Sequence, residues 1–169
     1  MADRNPASRG HTLPELLAML GIAAILAVAA IPVFSNLVLE SRMNATVATA
    51  MHAVNLARQF SATRSENLSL CGIDAAGDCT GSSDWSAGFV VAGNPSGLRH
   101  RLELARASGA RIRSNRATLD FEAGTGFATP ATLTICDRRG ARAARAVIVS
   151  RSGRPRSSTR DASDRVLSC

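Results

Sequence analysis

The sequence contains no lysine, so all twenty of its basic side chains are arginine. Aromatics make up only 4% of the 169 residues, and there are three histidines. No Walker loop, dinucleotide-binding glycine fingerprint or G-x-S-x-G elbow occurs, which removes three common routes to phosphate, cofactor and acyl chemistry. The four cysteines show no CxxC spacing and have no histidine nearby, which argues against a structural zinc site. His52 falls on an expected helix surface and His100 in an expected strand, and neither has a nucleophile beside it at motif spacing. No catalytic residue, cofactor or metal is therefore assigned, and an enzyme is not expected.

Two further absences are informative. No charged residue lies between Glu15 and Glu40, a run long enough for a helix to cross a hydrocarbon core at about 1.5 Å per residue. No glycine or proline lies between Pro32 and Gly72, which lets the same helix continue to about Arg64. A secretory signal peptide would place small residues after a shorter apolar core. Here Gly10 precedes the core. A plain membrane anchor accounts for the length but not for Glu15 at its head, because an intramembrane carboxylate is costly without a partner.

The segment Gly10-His11-Thr12-Leu13-Pro14-Glu15, followed by the apolar run, resembles the class III signal of type IV prepilins and type II secretion pseudopilins. The resemblance implies that a prepilin peptidase cuts after Gly10 and that the new N-terminus, His11, is methylated. It implies that Glu15 pairs with the terminal amine of a neighbouring subunit, and that the helix joins other pilins or pseudopilins in a filament. His11 stands where the pattern has phenylalanine, and Pro14 where it has an aliphatic residue. Pro14 falls in the first helical turn, where the backbone N–H has no intrahelical acceptor. The implied location is the inner membrane, single-pass, with a periplasmic globular domain.

The expected organisation is a leader over 1–10, a spine helix over 11–65 and a β-domain over 66–169. The helix is expected to span the membrane to about residue 39, and Pro32 should bend it locally. Beyond Glu40 a stripe of Met43, Val47, Ala50, Val54 and Ala57 at three- and four-residue spacing predicts a face packed on the domain. Roughly a hundred residues remain, enough for one modest core. Alternation and turn residues predict strands near 67–71, 88–91, 98–106, 111–113, 118–121, 132–136 and 146–150, then a polar tail from Ser152. The fold class is α+β: a long N-terminal helix packed on a small antiparallel β-domain.

The order Leu70, Cys71, Cys79, Trp85, Gly88, Phe89, with the Leu133–Cys136 strand and the Arg145 to Arg154 ending, resembles the GspH/FimT-type branch of that family. Export implies an oxidising compartment and two disulfides. Three connectivities are open. The short Gly/Asp loop between Cys71 and Cys79 favours that pair, leaving Cys136 with Cys169.

Net charge is +7, and Arg138, Arg139, Arg142, Arg145, Arg151, Arg154, Arg156 and Arg160 form a run without an acidic residue. A solvated basic face is one account of it, since such a face favours solubility or anionic lipid. The alternative is a phosphate partner, because guanidinium forks match phosphate oxygens. In the FimT-type branch a Gly-Arg-x-Arg motif is linked to DNA binding in natural transformation, and Gly153-Arg154-Pro155-Arg156 matches it. No aromatic interleaves with the run, so nonspecific, salt-sensitive backbone contacts are expected rather than stacking. The rival function is the H-type pseudopilin of a type II secretion system, with no nucleic-acid role.

Overall fold

Leu13–Arg64 forms a single helix, α1, in a computed structural model that describes residues 12–74, 76–93, 97, 99–103 and 109–169. The leader, Gly10 and His11 lie outside the described residues, as do 94–96 of the expected turn and the ends of the expected 98–106 strand. Thr12 and Glu15 stand at capping-box spacing at the helix start. The Glu15 Oε2 accepts from the Thr12 N–H at 3.4 Å, and the Thr12 carbonyl accepts from the Glu15 and Leu16 amides. Pro14 falls within that first turn, as expected of a residue with no N–H to satisfy. The helix continues through Pro32.

Two units divide the chain at Val38/Leu39. In the first, the helix exposes large apolar side chains, including Leu17, Ile22, Ile25 and Val28. Among the described residues no helix is long and apolar enough to cross a membrane.

The second unit, Leu39–Cys169, holds the rest of α1 and two four-stranded antiparallel sheets. Its strands are β1 Leu68–Gly72, β2 Gly88–Gly93, β3 Arg99–Glu103, β4 Arg111–Ser114, β5 Thr118–Phe121, β6 Ala131–Cys136, β7 Arg145–Val149 and β8 Pro155–Ser158. The first sheet runs β3-β2-β1-β5 and the second β4-β6-β7-β8. β4 and β5 flank the Asn115 turn in sequence, yet they join different sheets. Asn115 itself bonds Thr132, its amide to the Thr132 carbonyl and its side-chain oxygen to the Thr132 N–H.

The expected helix stripe is buried: Met43, Val47, Ala50, Val54 and Ala57 are all within the core. Ala53 joins them, and the fully covered alanines let the helix approach the sheets closely. The same core takes Leu68 and Leu70 from β1, Phe89 and Val91 from β2, Leu133 and Ile135 from β6, and Val147 and Val149 from β7. Val147 and Val149 face it by the two-residue strand period. Ala146 and Ile148, on the other face of β7, are buried too, in a smaller cluster with Cys136, Ala144 and Leu167. The C-terminal segment thus covers the second face, tied down by the Cys136–Cys169 disulfide, with Cα atoms 5.9 Å apart. The second disulfide joins Cys71 to Cys79, with Cα atoms 5.6 Å apart.

One expectation is corrected here. The tail from Ser152 is not merely polar chain, because Pro155–Ser158 is strand β8, paired Val149↔Pro155 through Ala146↔Ser158. Its composition hides it: Pro-Arg-Ser-Ser has neither alternation nor β-branched residues. Its partner β7 supplies the hydrogen bonds, and proline opens the strand at an edge, where a missing N–H is tolerated.

Candidate functional site

The Gly153-Arg154-Pro155-Arg156 motif forms the turn of the β7–β8 hairpin and the start of β8. The turn closes through the Ser150 amide donating to the Arg154 carbonyl at 3.1 Å and the Gly153 amide donating to the Ser150 carbonyl at 2.9 Å. Gly153 has φ +71°, a left-handed conformation that side chains rarely adopt. A Cβ there would stand 2.3 Å from the Gly126 carbonyl oxygen and 2.9 Å from Arg58 Cδ. Arg58, on α1, also donates from Nε to the Ser152 carbonyl at 3.1 Å. The glycine is thus required by a three-way junction of helix, β5–β6 loop and hairpin.

Arg151, Arg154 and Arg156 are exposed at this end of β7, and their guanidiniums have no carboxylate partner among the described residues. Arg154 and Arg156 are two positions apart, at the end of the turn and in the start of β8, with Pro155 stiffening the chain between them. That arrangement can present two guanidinium forks to neighbouring phosphate oxygens.

The remaining arginines of the run do not join them. Arg138, Arg139 and Arg142 lie in the β6–β7 connection and Arg145 opens β7, at the strand's opposite end. Arg138 and Arg142 are exposed there. Arg139 forks onto Asp137, from Nε at 2.9 Å and Nη2 at 2.7 Å to Oδ2, and its Nη1 reaches Glu40 Oε2 at 2.8 Å. Arg145 Nη2 donates to the other oxygen of Glu40 at 2.9 Å. One carboxylate on α1 thereby clamps both guanidiniums. Arg160 donates to the Asp164 carbonyl at 2.8 Å. A run continuous in sequence is therefore two separate groups in space, with Arg139 and Arg145 occupied in holding the β6–β7 connection to the helix.

The electrostatics follow. The Arg139 hydrogen bond, helped by the nearby Arg145 charge, holds the Glu40 carboxyl below its ordinary value against a smaller opposing effect of burial. For Asp137 burial pushes upward, and the Arg139 contacts together outweigh it, leaving the group lowered. Arg139 is raised by the same two acids. Sequence reading missed Glu40 and Arg58, since each acts on a residue roughly a hundred positions away and nothing local marks it.

Other expected positions are unremarkable. His52 is exposed on α1, and the His100 ring meets Phe60 edge-on at 6.1 Å. Among the described residues no group of His, Cys, Asp and Glu could hold a metal ion.

Residues 46–153 match the family model described as "Type II transport protein GspH". The match ends at Gly153, so Glu15, Arg154 and Arg156 lie outside it. Among solved structures the chain is similar to the type IV minor pilin FimU of Pseudomonas aeruginosa strain PAO1. The two share 19% identity at a TM-score of 0.54, over 69% of this chain and 87% of that one. A second crystal form of FimU shares 18% identity at a TM-score of 0.48, over 71% and 90% of the two chains. A comparison with curated proteins finds no match. The family model covers well over half of the sequence, and the chain belongs to the GspH family, the GspH/FimT-type minor pilins and pseudopilins.

Proposed function

We propose that this chain is a minor pilin of a type IV pilus-like filament that holds DNA through the β7–β8 hairpin. The family supplies structural pilin subunits rather than enzymes, and assembly with other pilins is its shared property. The observation that carries the DNA reading is the exposed set Arg151, Arg154 and Arg156, without an ion-pair partner among the described residues, on a turn whose shape glycine dictates. Contacts to phosphate give nonspecific binding that fades with salt, and several subunits in one filament add avidity.

The segment from Leu16 to Leu39 carries no charge in sequence and is read as the membrane-crossing part of the spine, with the globular unit periplasmic. Prepilin peptidase cuts after Gly10, His11 becomes the methylated N-terminus, and Glu15 receives the terminal amine of a neighbouring protomer. The Thr12 amide that Glu15 accepts in the single chain is a weak partner at 3.4 Å, so the carboxylate keeps capacity for that ammonium.

A gel-shift titration of a truncation beginning at Asn36 tests the binding. Duplex DNA is retarded at low salt, and the salt slope falls by about two on changing Arg154→Ala and Arg156→Ala together. Equal retardation by the double variant removes the hairpin from consideration. Mass spectrometry of the mature protein is expected to begin at His11, and an intact Met1 refutes the processing.

The second reading is an H-type pseudopilin of a type II secretion system, favoured by the description of the matching family model. It expects no retardation in that titration, and capture of neighbouring pseudopilins instead.

A further inference from the structure

Segments 126–128 and 151–153 run side by side. The Ala128 amide donates to the Arg151 carbonyl at 2.9 Å, and the Gly126 carbonyl abuts Gly153. Next to this seam is an open groove of about 670 Å³, and its lining includes Phe127, Arg116, Arg151, Asp120 and Glu122. Phe127 is 48% exposed, and among the described residues it is the one aromatic in the compact unit that stands out as a large exposed hydrophobic. A singly exposed apolar residue is ordinary. A ring on a concave wall, with cations and acids converging on the same space, is a ligand-site pattern.

We propose that this groove binds single-stranded DNA, stacking a base on Phe127 while Arg151 and Arg116 take the flanking phosphates. The proposal rests on the DNA reading of the adjacent hairpin, which takes phosphates of either form, and gives the groove an unpaired strand as its own ligand. Arg116 is already oriented, since its Nε donates to the Pro130 carbonyl at 2.9 Å, and neither of its terminal nitrogens has a partner among the described residues. Asp120 accepts the Ser69 hydroxyl through Oδ1 at 2.6 Å, and Glu122 accepts the Thr125 hydroxyl through Oε2 at 3.3 Å. Each carboxylate keeps a second oxygen. Two acids would oppose a bare phosphate chain, but they suit a nucleotide, because base N–H donors, the thymine N3–H as well as exocyclic amino groups, can donate to carboxylates while phosphates are steered to the arginines. A duplex buries its base faces in the stack, so only an unpaired strand can offer one to the ring. The arginine run contains no aromatic of its own; the fold brings one to it from the β5–β6 loop.

The test is fluorescence anisotropy with the full chain in detergent micelles, titrated into labelled oligo(dT) and into a labelled duplex of equal length. Phe127→Leu keeps apolar bulk and removes the ring, so it weakens oligo(dT) by about tenfold and the duplex by less than about twofold. Phe127→Trp enlarges the stacking face and tightens oligo(dT) alone. The double change Arg154→Ala, Arg156→Ala weakens both ligands. If duplex is bound but the Phe127 variants alter both ligands equally, or neither, the groove is refuted while the hairpin reading stands. If the unaltered chain binds neither ligand, both readings fall. Should Phe127→Leu not fold, Phe127→Trp decides alone, and an unchanged oligo(dT) affinity overturns the proposal.

Discussion

Replacing Gly153 with alanine separates what the motif does for the fold from what its arginines do for a ligand. Two costs apply. Holding an L-residue at φ +71° costs on the order of 1–2 kcal/mol. The added methyl would also sit 2.3 Å from the Gly126 carbonyl oxygen, a backbone atom that moves only with its loop, and relieving such overpacking costs about 1–3 kcal/mol more. The expected loss is about 2–5 kcal/mol. Gly81 supplies the internal reference: its φ is +63°, yet a Cβ there would meet nothing within 4 Å. Gly81→Ala should therefore cost only the conformational part, about 1–2 kcal/mol. Urea unfolding of a truncation beginning at Asn36, followed by far-UV circular dichroism, measures both. The Arg154→Ala, Arg156→Ala double variant should unfold within about 0.5 kcal/mol of the parent, since both side chains are exposed. If Gly153→Ala and Gly81→Ala lose the same amount, the junction with Arg58 and Gly126 is not tight and the argument for that glycine fails.

Three further expectations concern stability. Glu40→Gln should cost under about 1 kcal/mol, because its pairs with Arg139 and Arg145 are partly exposed and screened. Glu40 and Asp137 are lowered in the folded state, so their contribution is complete above the unfolded values of 4.5 and 3.8 and disappears as pH falls through the lowered folded values. Acid titration of Glu40→Gln should accordingly show a shallower loss of stability below about pH 4.5, and an unchanged slope contradicts the clamp. Cys169→Ser should cost about 3.5–4 kcal/mol and Cys79→Ser about 2.5 kcal/mol, following loops of 33 and 8 residues; equal unfolding midpoints with and without reductant contradict this. Ser65 follows the last turn of α1 with φ +50°, so Ser65→Gly should stabilise by about 0.5–1 kcal/mol, and a lowered melting temperature counts against it.

The spine was legible because its signals are local. An uncharged apolar run, a stripe at helical spacing and the lack of glycine or proline between Pro32 and Gly72 all act within a few residues of themselves, and α1 ends at Arg64 as they imply. The strands with alternating or β-branched residues were legible for the same reason. Strand β8 was not, because Pro-Arg-Ser-Ser becomes extended only through its partner. The assignment of β4 and β5 to different sheets was equally invisible, since no local residue states a strand's neighbour.

The sequence by itself determined the helix, the α+β class, the four cysteines and the presence of an unpunctuated arginine run. Only the tertiary structure decided which of those arginines are available. Coulombic pairing depends on distance through space, and the chain brings Glu40 to Arg139 and Arg145 while leaving Arg151, Arg154 and Arg156 at the far end of β7 without an ion-pair partner among the described residues. By the same closure of distant segments it sets Phe127 in the groove beside Arg151, an adjacency that no spacing along the chain encodes.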